Sequence, residues 1–162
     1  MKFLADAMLG KLARILRIFG YDVIYANDLE EYFKLAPVPD DKLKDYAEES
    51  KRIIITKDLP FFNRIKDKGI YLEGEGVYNY LYQLKAKFNL KFEFDLYSAR
   101  CSVCNHLLKK VADKNSIQDK VQADTFNYYD VFVQCINPLC KKVYWKGTHI
   151  EDILKILKEF SP

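Results

Sequence analysis

The sequence predicts an α/β fold: a parallel sheet flanked by helices, followed by a small cysteine-bearing β unit and a closing helix. Two observations carry this. Short apolar runs alternate with amphipathic stretches over residues 1–92, and all four cysteines fall, in two pairs, beyond residue 100. Such alternation builds parallel strands joined by right-handed crossovers in a doubly wound sheet.

Lys2-Phe3-Leu4-Ala5 reads as a short buried strand that stops at Asp6. Met8 to Phe19 then has helical periodicity, and Gly20 closes it. On a helical wheel Met8, Leu9, Leu12, Ala13, Ile15, Leu16 and Phe19 share one side, while Lys11, Arg14 and Arg17 form a basic, acid-free face. Val23-Ile24-Tyr25 is a second strand with Asp28 just beyond it, and a polar, proline-bearing segment from Asn27 to Pro39 leads to Asp40-Asp41. The helix that follows has Leu43, Tyr46 and Ala47 on its inner face and ends at Lys51-Arg52. Ile53-Ile54-Ile55-Thr56 is a continuous run of the kind buried on both faces of a parallel sheet, and it ends in Lys57-Asp58. A short helix over Leu59 to Lys68, a strand at Ile70-Tyr71-Leu72 and a helix from Gly76 to Phe88 complete the alternation.

From Phe92 the pattern changes. Cys101-Ser102-Val103-Cys104 and Cys135-Ile136-Asn137-Pro138-Leu139-Cys140 bracket a stretch containing Phe126, Tyr128, Tyr129, Val131 and Val133, whose alternation predicts a hairpin strand near its end. Val143-Tyr144-Trp145 is one more strand, and Ile150 to Phe160 reads as the closing helix, with Ile153, Leu154 and Leu157 inward.

The 162 residues, 49% hydrophobic and 30% charged, are those of a folded globular chain and exclude a disordered one. A net charge of +3 permits a polyanionic partner without demanding one. Aromatic residues at 15% fill a core and leave rings able to stack on bases. No apolar run is long enough to span a bilayer, and the N-terminus enters a strand instead of a signal peptide. The expectation is a cytoplasmic protein with no membrane partner.

In a reducing compartment, paired cysteines favour metal ligation over disulfides. Cys101 and Cys104 can hold one ion from a tight knuckle, and Cys135 and Cys140, brought alongside by a hairpin, complete a tetrahedral thiolate site. Four soft ligands with no open position favour a structural Zn²⁺, which would hold together a segment too small to fold on a hydrophobic core alone. A rubredoxin-like iron centre and four reduced core thiols are the competing uses. The second pair is unusual in its four intervening residues. His106 and His149 are read as not ligating.

Asp6, Asp40 or Asp41, and Asp58 all stand at predicted helix starts, where an Asp ordinarily caps the helix. Topology argues for more. Parallel strands deliver these acids, with Asp28 nearby, to one edge of the sheet, where gathered carboxylates repel unless a cation sits among them. Mg²⁺ or Mn²⁺ prefers such oxygen ligands and can activate water against a phosphodiester. Lys11, Arg14, Arg17 and Lys57 are placed to hold a nucleic-acid backbone by charge.

Phe3-Leu4-Ala5-Asp6-Ala7-Met8-Leu9-Gly10-Lys11-Leu12-Ala13-Arg14, Asp40-Asp41-Lys42-Leu43 and Arg52-Ile53-Ile54-Ile55-Thr56-Lys57-Asp58 resemble the Mut-seven C-terminal ribonuclease-like family. Arg100-Cys101-Ser102-Val103-Cys104-Asn105 and Val143-Tyr144-Trp145-Lys146-Gly147-Thr148-His149 match its closing zinc-ribbon pattern, so the resemblance covers nearly the whole chain. It implies a PIN-like nuclease domain over residues 1–92, a zinc ribbon over 97–149 and a closing helix within 150–162. By matching position, Asp6 and Asp58 are the implied Mg²⁺ or Mn²⁺ ligands, with Asp40 and Asp41 not separated and Asp28 and Asp67 as candidates for a fourth acid. The reading is a metal-dependent ribonuclease whose ribbon grips RNA or a protein partner. The alternative is a non-catalytic RNA-binding adaptor in which the acids are caps.

Overall fold

The computed structural model describes residues 1–159. Four short strands, β1 (Lys2–Ala5), β2 (Asp22–Tyr25), β3 (Ile53–Thr56) and β4 (Gly69–Tyr71), form a wholly parallel sheet in the order β2-β1-β3-β4. The register places Phe3 beside Val23 and Ile53, and Ile55 beside Ala5 and Ile70. Because successive side chains leave a strand on opposite faces, the apolar runs divide themselves between two cores.

On one face Phe3, Ala5, Val23 and Ile55 meet α1 (Gly10–Ile18) and α5 (Val77–Phe88) through Leu12, Leu16, Leu81 and Leu84. On the other, Leu4 and Ile54 meet α3 (Asp40–Glu49) and α4 (Leu59–Ile65) through Leu43, Ala47, Phe61 and Ile65. Both faces are covered, as an all-parallel sheet requires. The connecting segment before α3 is more regular than expected: a 3-10 turn at Ala26–Leu29 and a short α2 (Glu30–Phe33) seat Ala26 and Leu29 in the second core.

The first helix begins later than its periodicity predicts. Ala7–Leu9 forms a 3-10 turn, which rotates Met8 out of the apolar face and leaves it 68% exposed. The same helix ends where expected. Gly20 adopts φ +84°, and a Cβ there would stand 2.8 Å from the Ser98 carbonyl oxygen, so only glycine lets the later chain pass this close.

Beyond α5, β5 (Leu108–Lys110), β6 (Val133–Cys135) and β7 (Val143–Tyr144) form an antiparallel sheet in sequence order. Between β5 and β6 the chain is helical, with a 3-10 segment Lys114–Lys120 and α6 (Ala123–Tyr128), so Phe126 and Tyr128 belong to a helix and not to a hairpin strand. Ile117, Phe132 and Val143 make a small core there, flanked by Tyr129 and Trp145. The closing helix α7 (Thr148–Glu159) then returns to the parallel sheet's first core through Ile153. Its expected last residue, Phe160, lies outside the described residues.

Ile55 is fully buried in central β3. Ile55→Ala is expected to lower the urea-unfolding free energy by about 2–5 kcal/mol; a loss under about 1 kcal/mol would contradict this account of the core.

Candidate active site

The strand order reverses between β1 and β3, and ligand sites of open α/β sheets lie outside the carboxyl ends of strands at such a point. Asp6 follows β1 directly, and its amide extends the ladder by donating to the Ile55 carbonyl at 3.0 Å. Its side chain is 8% exposed and makes no capping bond to the turn behind it. The fully buried Thr56 hydroxyl donates instead to Asp6 Oδ2 at 2.6 Å and accepts from the Asp58 amide at 2.9 Å. Thr56 thus orients one carboxylate and positions the backbone of the next. Asp58 does cap: its Oδ1 accepts from the Phe61 amide at 2.7 Å, opening α4.

Asp40 and Asp41 separate. Pro39 holds the cap position of α3, so neither acid is the cap, and Asp41 points outward with its side chain 85% exposed. Asp40 faces the other acids. Burial, then the carboxylates of Asp58 and Asp6, push its carboxyl above the usual range against the pull of Arg64. Arg64, which the sequence analysis did not single out, pairs with Asp40 and reaches Asp41 at 3.4 Å. Its only sequence signal was a basic residue in the last turn of a short helix.

The two further candidate acids are placed differently. Asp28 accepts from Arg17 and from the Tyr25 amide at 3.1 Å. Asp67 precedes β4, at the opposite edge from the strand carboxyl ends.

The basic face needs correction. Lys11 and Arg14 are exposed, but Arg17 is 1% exposed. Its Nε donates to the Val23 carbonyl at 2.8 Å, and its Nη1 donates to the carbonyls of Ser102 and Val103 at 3.1 and 3.0 Å, so it cannot meet a substrate phosphate. Arg17 looked like a surface residue because its partners come from distant segments. Lys57 also has partners, Glu75 at 2.7 Å and the Tyr80 ring.

The cysteines converge. All four Sγ atoms lie within 4.8 Å of one another, with Cys101 3.7 Å from Cys140 and Cys104 3.4 Å from Cys135. These separations exceed a disulfide bond and suit four thiolates around one zinc ion, which stand about 3.8 Å apart at zinc–sulfur distances of about 2.3 Å. The wide second pair closes because Asn137 accepts from the Cys140 amide at 3.0 Å through its carbonyl and from the Leu139 amide at 3.0 Å through its side chain. Burial opposes ionisation of Cys101, yet the Tyr144 hydroxyl and the Cys104 and Val103 amides bring its thiol down to about 7. These four residues are therefore positioned to hold a metal such as zinc. Among the described residues, no three acids have ligand atoms this close together.

A family model described as Mut7-C RNAse domain matches residues 1–157. The chain belongs to the Mut7-C RNAse domain family. Membership points to a ribonuclease-like role with RNA as substrate. No curated protein and no solved structure matches the chain. No helix among the described residues is long and apolar enough to cross a membrane.

In this family member the cysteine knuckle is tied to the edge of the sheet. Asn105, at φ 63° just after Cys104, accepts from the Val23 amide at 3.1 Å and donates to Asp22 at 2.8 Å. Removal of the bound metal by a thiol-directed mercurial should speed hydrogen exchange of the Val23 amide while Ile54 and Ile55 stay protected; equal exchange before and after would refute the coupling. Asp22 supplies a pH test. Burial raises its carboxyl, but hydrogen bonds from Arg52 and Asn105 outweigh this and hold it below the usual range. A depressed folded-state pKa adds stability above the unfolded value and loses it as pH falls through the folded one. The stability advantage over Asp22→Asn in urea melts should therefore shrink as pH drops below about 3.9, and an advantage that grows there would be the wrong sign.

Proposed function

We propose that the chain is a metal-dependent ribonuclease that hydrolyses RNA phosphodiester bonds at Asp6, Asp40 and Asp58. The observation that supports this reading is that Asp6 and Asp58 share the Thr56 hydroxyl at the switch point between β1 and β3, and that the Asp40 carboxyl is raised first by burial and then by the charges of those two acids. Like charges crowded in this way are relieved by a cation. Asp6 and Asp58 would hold the Mg²⁺ or Mn²⁺, with Asp40, now paired with Arg64, as the third carboxylate. An ion held there would supply an activated water and charge stabilisation at the phosphate.

The protein's own groups do the rest. Thr56 fixes Asp6, so the carboxylate meets its ligand without reorganisation. Arg64, released from Asp40, is free to contact the substrate phosphate beside the acids, and Lys11 and Arg14 hold the neighbouring backbone. We divide the chain into a PIN-like domain over residues 1–92, a zinc ribbon over 97–149 and a terminal segment over 150–162. Four unlinked thiols accord with a cytoplasmic setting.

End-labelled single-stranded RNA, incubated with Mn²⁺ and the zinc-loaded chain, is expected to be cleaved. Asp6→Asn should cost about 100-fold or more, equivalent to about 2.7 kcal/mol of barrier, with zinc content and unfolding midpoint retained. Equal cleavage by the variant would assign the activity elsewhere. RNA binding without cleavage by either protein would favour the non-catalytic adaptor.

A further inference from the structure

A cleft of about 760 Å³ lies between α1, β7 with its flanking Lys142 and Trp145, and the start of α7. Its lining is unlike that of an ordinary packing defect. Lys11 and Arg14 project from α1 on one side, and Lys142 lies on the other with its ammonium 5.8 Å from the Tyr144 ring centre. None of the described residues that line it is acidic. The charged side chains that line it, Lys11, Arg14, Arg100 and Lys142, are all basic, which favours an anionic occupant.

Its aromatic surface is held from behind. Trp145 is half-buried against Phe132 and Tyr129, with ring centres 6.1 and 6.2 Å away, and also lines the cleft. A ring already anchored by its neighbours loses little freedom when a flat ligand stacks on it. At the opposite end, Tyr25 lines the cleft and lies over Gly10, where a Cβ would come within 3.1 Å of the ring. The Tyr25 hydroxyl donates to the Ala7 carbonyl at 2.8 Å, one residue from Asp6, so the cleft runs from the tryptophan to the edge of the acid cluster.

Cations beside aromatic faces suit a polyanion whose bases are unstacked. A duplex keeps its bases in its own stack and leaves such rings without a partner. We propose that this cleft seats single-stranded RNA, with phosphates along Lys11, Arg14 and Lys142 and a base on Trp145, and leads the strand to Asp6. Delivery to Asp6 rests on the ribonuclease reading; occupancy of the cleft does not.

Trp145 is the chain's one tryptophan, so its emission reports on the cleft directly. The test titrates the zinc-loaded Asp6→Asn protein with a fluorescein-labelled oligouridylate of about 12 nucleotides, reading Trp145 emission and label anisotropy together. The expected result is saturable quenching that follows the anisotropy, with a self-complementary duplex binding more weakly. Lys11→Ala/Arg14→Ala, both at exposed positions, should weaken binding about tenfold and make the salt dependence shallower by about 1.4 in log–log slope. Trp145→Phe, which keeps a stacking ring, should retain binding.

Anisotropy that saturates with unchanged tryptophan emission, a duplex that binds as tightly, or a double variant with undiminished affinity would each overturn the proposal. So would quenching by polyglutamate in place of RNA, which would assign the cleft to an acidic protein segment. If the unmutated chain cleaves RNA with Mn²⁺ while Trp145 is unaffected, the cleft proposal fails alone. If quenching is intact but nothing is cleaved, the cleft stands and the ribonuclease reading fails.

Discussion

The buried guanidinium of Arg17 is the interaction on which the arrangement depends. A desolvated charge is tolerated only when its hydrogen bonds and its counter-charge are supplied together. Arg17 receives both from segments far apart in sequence: the β2 backbone, the first cysteine knuckle and the Asp28 carboxylate. The fork of a guanidinium can address several carbonyls and a carboxylate at once, which a lysine ammonium does not reproduce. The Arg17 carbonyl meanwhile accepts from the Arg100 amide at 2.8 Å. One residue of α1 therefore joins the parallel sheet to the cysteine site through its side chain and its main chain.

That join explains how an exposed sheet edge is managed. β2 is the outer strand, and an uncovered edge invites pairing with another chain. Asn105 covers it by imitating a neighbouring strand's acceptor at Val23, while Asp22 holds Asn105 and Arg52 together at the sheet's amino edge. The knuckle that organises four thiolates is thus also the protecting cover of the sheet. The candidate metal site and the cover of the sheet edge meet in one knuckle.

The positions of the acids follow from the same topology. Placing β1 and β3 side by side brings Asp6 and Thr56 into hydrogen-bond contact, and the turn into α4 puts Asp58 within reach of the Thr56 hydroxyl. α3 contributes Asp40 from the opposite helical layer. The antiparallel unit, anchored through Arg17, stands beside α1 and leaves the basic, aromatic cleft between them. α7 then closes the arrangement by returning Ile153 to the first core. The apolar residues of α1 hold the sheet, while Lys11 and Arg14 on its other side line the cleft.

The amino-acid sequence by itself determined the alternation of elements, the four parallel strands and the pairing of the cysteines, because these depend on local periodicity and spacing. Ile53-Ile54-Ile55 can be buried on both faces only inside a sheet, and Gly20 marks a helix end in any context. Residues whose roles depend on distant partners were not legible. Arg17 shares its helical face with Lys11 and Arg14 and differs from them only in what the chain later brings against it. Asp40 and Asp41 are adjacent in sequence, and only the start of α3 against the sheet turned one toward the acids and the other to solvent. Thr56 and Arg64 carried no signal as single residues, since a threonine ending a strand and an arginine ending a helix are both commonplace. Tertiary structure decided these roles because burial, charge and hydrogen-bond partnership are properties of what surrounds a side chain, and here the surroundings come from segments that the sequence leaves far apart.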